Sequence, residues 1–322
     1  MMNHTAELKD VSIEQYAQTV ANIIKEKYDV FSVSPVNCNK NNDTIMHGVC
    51  IRETEDMVIT PNIYLDGYYE ENIYPDDCAS KVMQIYNDNK VDNDHFDITM
   101  FDTFDSCKSY IVAKVINKSR NKKIMQDAPY AEFGDLIIVF YAILESGDAG
   151  QASCLIRNCF VERWNITLSD LIKVAYENQE KFYRFEIDDI NMTLLNMIKE
   201  RDVHNEELEK ELINMPGGVM YVCSSHNRLN GAFYITSRDK LNYIADTINS
   251  TSFYIIPSSI HEFIAFPNLN DDMDEDYLLA MIRDVNTTQL ASSEVLSDNF
   301  YYYDRTKEEL SDSNGTVIPF VY

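Results

Sequence analysis

The run Leu136 to Leu144 constrains this chain more than any other feature. It is near-continuous in apolar side chains, rich in β-formers, and the longest stretch of its kind in the sequence. It falls well short of the ~20 residues that a membrane helix needs, so it reads as a strand. Gly147 and Gly150 then punctuate a turn, and Ala152 to Ile156 are expected to return beside it. Strands joined by so short a turn pair antiparallel, because parallel strands need long crossovers.

The same kind of apolar spacing recurs on both sides of this hairpin. Ser12 opens a helix with Gln15 placed for a capping box, and Ile13, Ala17, Val20 and Ile24 recur on one face. Phe31 to Val36 and Val49 to Arg52 read as a hairpin around the Asn-rich connection Asn37 to Asp43. A helix is expected from Asp76 to Asn89, burying Ala79, Val82, Met83 and Tyr86, and another from about Ser106 to Asn117. Downstream, Thr167 caps a helix with Leu168, Leu171, Ile172 and Ala175 inward. A further helix covers about Asp188 to Glu200, ahead of the charged segment Glu206 to Glu211.

After Pro216-Gly217-Gly218, the segments Val219 to Cys223 and Ala232 to Ile235 read as a second hairpin. Ser237 caps a helix burying Leu241, Ile244, Ala245 and Ile248, and Phe253 to Ile256 pairs with Glu262 to Phe266. Asp274 starts a helix with Leu278, Met281, Ile282 and Val285 buried, and Phe300 to Tyr303 is the expected closing strand. The order of elements repeats, with no repeat at the level of residues. The expected class is α+β: a mostly antiparallel sheet built from repeated strand-strand-helix units, with a smaller N-terminal α+β domain. The polar stretch Asn117 to Lys123, ahead of Pro129, marks the expected boundary, giving domains 1–127 and 128–322.

Composition narrows the function classes. Hydrophobic residues make up 45% and charged residues 25% of 322, the proportions of a globular protein long enough for two domains. Lys and Arg total 27 against 53 Asp and Glu, a formal charge of -26 at pH 7. Such a surface repels phosphate backbones and anionic headgroups, which disfavours direct nucleic-acid binding and membrane-surface binding. It suits basic partners or metal cations, and it keeps a protein soluble. Met1 to Asp10 show no apolar stretch behind basic residues, so no secretory signal is expected. Seven cysteines without a C-x-x-C pair fit free thiols in a reducing cytosol, and the expected location is cytoplasmic.

Ser258, Ser259, His261 and Glu262 carry the parts of a nucleophilic triad just after a strand. In an extended segment Ser259 and His261 would share a face with Cα atoms ~6–7 Å apart, whereas triads draw their members from separate elements. No G-x-S-x-G elbow is present. The competing reading is a proline-led turn whose hydroxyls satisfy backbone groups. His261 to Ala265 begins like a zinc-protease helix, but Ala265 stands where the second metal-binding His must be. Asn270 to Asp276 fails as a calcium loop, because Glu275 and Met281 occupy the obligatory Gly and bidentate Glu positions. Asp274 to Asp276 suit a helix N-terminus instead.

Asp92, Asp94 and His95, with Asp97, Asp102 and Asp105 nearby, are candidates for metal binding or acid–base chemistry. Against this, Phe96, Ile98, Met100 and Phe101 suggest a strand with solvent-facing Asp beside it. No glycine-rich phosphate cradle occurs, and no cofactor is expected. The 21 tyrosines, Tyr68-Tyr69 and Tyr301 to Tyr303 among them, lack a basic surround for base stacking and favour protein contacts.

The string Tyr254-Ile255-Ile256-Pro257-Ser258-Ser259-Ile260-His261-Glu262 resembles a signature of a bacterial family catalogued only as a domain of unknown function. So do Val285-Asn286-Thr287-Thr288, Glu294-Val295-Leu296-Ser297-Asp298-Asn299 and Tyr301-Tyr302-Tyr303-Asp304. Ile59-Thr60-Pro61-Asn62-Ile63-Tyr64-Leu65 is similar to the family's N-terminal part, and Asp135 to Tyr141 to its central strand. The resemblance covers most of the chain. It implies a bacterial, cytoplasmic protein and carries no assigned activity, cofactor or catalytic residue. The leading expectation is therefore a protein-binding or regulatory module, leaning away from an enzyme. A hydrolase using His261 with Ser258 or Ser259, and an acidic decoy of nucleic acid, are the alternatives.

Overall fold

Helix α1 (Ile13–Lys27) begins where Ser12 and Gln15 each accept the other's backbone N–H, satisfying two donors that a helix start leaves open. The structure, a computed structural model, describes residues 11–55, 57, 60–88, 98–147, 150–200, 220–268 and 274–322. Ile59, Glu206 to Glu211, Pro216-Gly217-Gly218, Val219 and Asn270 to Met273 lie outside the described residues. The chain divides into two compact units. The first runs to residue 98 without Asn41–Asp43, which group with the second.

In the first unit, strands β1 (Ser32–Asn39), β2 (Ile45–Arg52) and β3 (Asn62–Tyr64) form an antiparallel sheet in that order. Helix α2 (Asp66–Glu70) follows, then α3 (Pro75–Asp88). Tyr16, Val20 and Ile24 of α1 share a core with Ala79, Val82 and Tyr86 of α3 and with Val49 and Ile51 of β2. The hairpin and both helices stand as their apolar spacing predicts.

The second unit departs from expectation at its start. A helix over Ser106 to Asn117 gives way to α4 (Phe104–Cys107), a 3-10 turn, and strand β4 (Ile111–Asn117). Ile111, Val112, Val115 and Ile116 are β-branched and buried on both faces, so a pleated strand inside a sheet suits them better than one helical stripe. Strand β4 pairs with the later strand β6 from Ile111–Ala142 to Asn117–Leu136, so the Asn117 to Lys123 stretch lies inside the second unit. Helix α5 (Lys122–Asp127) leads to β5 (Tyr130–Phe133), β6 (Leu136–Gly147) and β7 (Gly150–Leu155). Strands β5 and β7 take the edge of β6 opposite β4.

Helices α6 (Asn158–Trp164) and α7 (Leu168–Phe182) come next, the latter capped by Thr167 with Asp170. Gln179 of α7, 2% exposed, accepts the Ala113 N–H at 3.1 Å and donates to the Ala113 carbonyl at 3.2 Å. One amide thus replaces the ladder bonds that a further strand would make on the open edge of β4.

Strand β8 (Phe185–Asp189) precedes α8 (Ile190–Glu200), so the helix expected from Asp188 opens as a strand. After β9 (Tyr221–Ser225) no hairpin partner follows. Ala232 to Ile235 lie in a fully buried 3-10 turn, Gly231–Thr236, entered through Asn230 at φ 55°. Then come α9 (Arg238–Thr247), β10 (Ser252–Ile256), β11 (Phe263–Pro267), α10 (Glu275–Thr288), β12 (Tyr301–Asp304), β13 (Glu309–Asp312) and β14 (Val317–Ile318). The sheet runs β14-β13-β12-β10-β11-β9-β8, which places β12 inside rather than at the close. Strands β13 and β14 are too short to announce themselves by alternation. Every strand pairing among the described residues is antiparallel, and the fold is α+β.

Apolar side chains of both sheets, such as Ile138, Phe140, Phe253 and Phe263, meet Leu171, Leu241 and Ile244 in one core. The rim of that core is fastened by Asp135, in the turn between β5 and β6. Its carboxylate accepts Ser297 Oγ–H at 2.6 Å, Asn299 Nδ2–H at 3.0 Å and Tyr301 O–H at 2.5 Å. Tyr301 is wholly buried, and burial together with the Asp135 charge pushes its phenol well above its ordinary range. Asp135→Ala leaves these donors unmatched, at about 1–3 kcal/mol for each that stays buried. The variant should therefore lose about 3 kcal/mol or more of unfolding free energy in urea, with Asp135→Asn intermediate because its amide oxygen still accepts. An Asp135→Ala midpoint equal to that of the native chain contradicts this.

Candidate functional site

The loop Pro257 to Glu262 joins β10 to β11, whose ladder runs from Phe253–Pro267 to Ile256–Ile264. It closes on itself first. Ser259 N–H donates to the Glu262 carbonyl at 3.0 Å, and Ser259 Oγ accepts the His261 N–H at 3.0 Å. The loop is then tied outward. Ile260 N–H donates to the Glu294 carbonyl at 3.0 Å, while the His261 carbonyl accepts Gly231 N–H at 2.9 Å and Ser224 Oγ–H at 2.8 Å. The His261 ring joins in as well: Nδ1 accepts the Asn230 N–H at 3.2 Å, which puts the proton of the neutral ring on Nε2.

The receiving side is built for this approach. Asn230 sits in the left-handed region, which Asn tolerates better than most side chains. Gly231 lies so close to β9 that a Cβ there would stand 2.6 Å from Ser224 Cα and from Ser225 N. Asn230 Nδ2 donates to Tyr183 OH at 3.0 Å, Tyr183 OH donates to Gln151 Oε1, and Tyr234 OH donates to the Tyr183 carbonyl. These partners escape a reading of local motifs because they come from distant segments. Only the Asn230-Gly231 dipeptide carries a sequence signal, for a turn.

Two loop residues titrate away from their ordinary ranges. Burial pushes the half-buried His261 down; Glu294 opposes this and Lys114 adds to it. Burial pushes Glu262 up, against the Arg228 charge and a hydrogen bond from Ser258. The loop therefore pairs Ser258 with Glu262, and Ser259 with the backbone of His261. Among the described residues, the imidazole makes no hydrogen bond to either serine; its acceptor nitrogen is occupied by Asn230. Of the other candidates, Asp92, Asp94, His95 and Asp97 lie outside the described residues. Ile98–Phe101 is a 3-10 turn rather than a strand, and Asp105 is an exposed partner of Lys108 at 2.6 Å.

Gly231→Ala forces β9 and the 3-10 turn apart, and overpacking of this kind costs about 1–3 kcal/mol; urea denaturation reads it. The pH dependence has two opposed parts. The folded pKa of His261 lies below 6.5, so the unfolded chain takes up this proton first, and the His261 contribution to stability is lost as pH falls through the folded value. The folded pKa of Glu262 lies above 4.5, so its contribution is present below that pH and lost as pH rises through the folded value. His261→Asn should flatten the acid-side fall in urea midpoint and Glu262→Gln the fall on the other side. Unchanged pH slopes in both variants contradict this.

No curated protein and no solved structure matches the chain. One family model does, described as a family of unknown function (DUF5688), over residues 13–305. That range takes in the strings of the resemblance, among them the His261 loop and the segment around Ser297, and the chain belongs to the DUF5688 family.

Proposed function

We propose that this chain is a cytoplasmic protein-binding module whose partner seats on the outer face of α10. One observation carries the reading. Tyr277, Met281 and Val285, spaced i, i+4 and i+8, are 70%, 38% and 40% exposed. Apolar periodicity assigns Met281 and Val285 to the core, but the helix buries Leu278 and Ile282 against Tyr254, Phe266 and Phe300. The stripe lies about 100° round the helix from that buried row. Aligned apolar side chains on a helix surface are the anchors used in helix-mediated recognition.

Asp284 is exposed about 20° round the helix from Tyr277, while Asp276 and Arg283 lie together further round and offset each other, and Glu275 accepts from Tyr254 on the side of the buried row. Charge complementarity therefore favours a basic amphipathic segment as partner. The reducing location is supported by all seven cysteines being free thiols. Among the described residues, no helix is long and apolar enough to cross a membrane. The hydrogen bonds of the Pro257 to Glu262 loop favour a structural role for Ser259 and His261 over the hydrolase alternative.

The test is capture from the native host on the immobilised chain, set against a variant carrying Tyr277→Ser, Met281→Ser and Val285→Ser. A basic partner should be retained by the native chain and lost by the variant at unchanged melting temperature, each anchor contributing about 2 kcal/mol. Equal capture by both proteins, or turnover of a serine-hydrolase probe abolished by His261→Ala, overturns the reading.

A further inference from the structure

Two Asn-Gly dipeptides occur in the chain, Asn230-Gly231 and Asn314-Gly315, and the fold treats them in opposite ways. Asparagine is a thermolabile side chain. Its amide carbon can close a five-membered ring with the backbone nitrogen of the next residue, and a following glycine puts no Cβ in the way. Closure needs room for the ring, solvent to take up the proton and the ammonia, and slack in the backbone.

Asn230 is denied room and solvent. It is 6% exposed, and its Nδ2 donates to Tyr183 OH at 3.0 Å. A Cβ on Gly231 would stand 2.6 Å from Ser224 Cα, and Gly231 N–H is bound to the His261 carbonyl at 2.9 Å. Asn314 has both. It stands in the connection Ser313 to Gly315 between β13 and β14, which turns back through Gly315 at φ 76°. Asn314, Gly315 and Thr316 are exposed. Apart from its chain neighbours, nothing lies within 4 Å of the point where a Gly315 Cβ would be. The Asn314 side chain has no hydrogen-bond partner among the described residues; its backbone N–H alone is bound.

Slack is what Asp312 withholds. Its Oδ1 accepts the N–H of Asn314 and the N–H of Thr316, each at 2.9 Å. Its carbonyl accepts the Gly315 N–H at 2.9 Å, and its own N–H donates to the Thr316 carbonyl at 3.0 Å. The carboxylate therefore pins the backbone on both sides of the nitrogen that would attack.

We propose that Asn314 is a site of spontaneous deamidation, that the Asp312 carboxylate is the brake on it, and that burial protects Asn230. Gly315 N gives its proton to solvent base and bonds to Asn314 Cγ. The Cγ–Nδ2 bond breaks, ammonia leaves, and a succinimide remains. Water then opens the ring at one of two bonds. Breaking the new N–Cγ bond leaves an aspartate; breaking the bond from that nitrogen to the main-chain carbonyl carbon leaves an isoaspartate. Water is the only co-reactant, and nothing is oxidised or reduced. In the isoaspartate the chain runs through Cβ and Cγ, one atom longer, inside a turn closed by Asp312 and Thr316. That length works against the register of Leu310 with Ile318. Ile318 has little freedom to follow: it is 3% exposed, and a Cβ on Gly134 would stand 2.8 Å from its Cδ1. The site is separate from the outer face of α10, and either can fail without the other.

The experiment holds the full chain, folded, at mildly alkaline pH and samples it over weeks. Peptides carrying each Asn-Gly pair are followed by mass, with aspartate and isoaspartate resolved by chromatography. Asn314 should convert at least tenfold faster than Asn230 and give both products. Asp312→Ala should raise the Asn314 rate a few-fold and leave Asn230 as it was. The aged native chain should melt below an equally aged Asn314→Gln chain, in which the five-membered ring cannot form. Conversion at Asn314 no faster than at Asn230 overturns the site. An Asn314 rate unchanged in Asp312→Ala overturns the brake, and equal melting of the two aged chains overturns the effect on β14. Should Asp312→Ala lose its cooperative melt, Asp312→Asn carries the comparison, and an Asn314 rate no higher than the native one overturns the brake.

Discussion

The second unit depends on a carboxylate, Asp135, that accepts from Ser297, Asn299 and Tyr301 together. Two sheets packed face to face gain most of their stability from apolar burial, which is non-directional and leaves the sheets free to slide. Hydrogen bonds to a charged acceptor add direction. Asp135 sits at the tight turn into β6, the strand that organises one sheet, and its donors lead into β12, an internal strand of the other. Neighbouring side chains extend the same work. Asn117 Nδ2 donates to the Leu296 carbonyl, Asn286 Nδ2 to the Ser297 carbonyl, and Arg120 pairs with Asp298 at 2.7 Å. The segment from Leu296 to Asn299 has no ladder of its own, so its backbone groups are met by side chains from the elements around it.

The loop from Pro257 to Glu262 obeys the same logic. Hairpin connections of this length leave several N–H and C=O groups without ladder partners. Here the Ser259 hydroxyl, the Glu294 carbonyl, Gly231 and Ser224 take them up. Two stretches within the strings of the resemblance, Pro257 to Glu262 and Leu296 to Asn299, are thus places where irregular backbone is tied to the elements around it. A Ser-x-His-Glu spacing invites a catalytic reading, yet the same residue types are the ones that satisfy backbone in turns. Geometry separates the two. In this structure the serine oxygen points to backbone, and the imidazole acceptor faces Asn230.

Much of the fold was legible wherever one physical preference dominated. The capping box at Ser12, the Thr167 cap, the β6–β7 hairpin and the β10–β11 pair follow from local chemistry and period alone. The misreadings share a cause. Ile111 to Asn117 and Ala232 to Ile235 are apolar on every side, so their spacing could not separate strand from helix or turn, and partners far along the chain decided the outcome. Met281 and Val285 fit a buried helical face by spacing, but α10 lies against one sheet only and has room to bury a single row. Of the site, Ser258, Ser259, His261 and Glu262 were visible as a string. Gln151, Tyr183 and Asn230 were not, because only long-range hydrogen bonds and the approach of Gly231 to β9 link them to His261.

A residue that closes a buried turn through its backbone can be fixed by its side chain as well. His261 is held both ways: its carbonyl, N–H and Nδ1 are all bound within the protein. An imidazole so held cannot rotate to exchange its nitrogens, and burial favours the neutral form. It is therefore poorly suited to shuttling protons for a serine, which needs an accepting nitrogen free to face the hydroxyl. The bonds that fix this loop are thus the ones that weaken the case for catalysis at it.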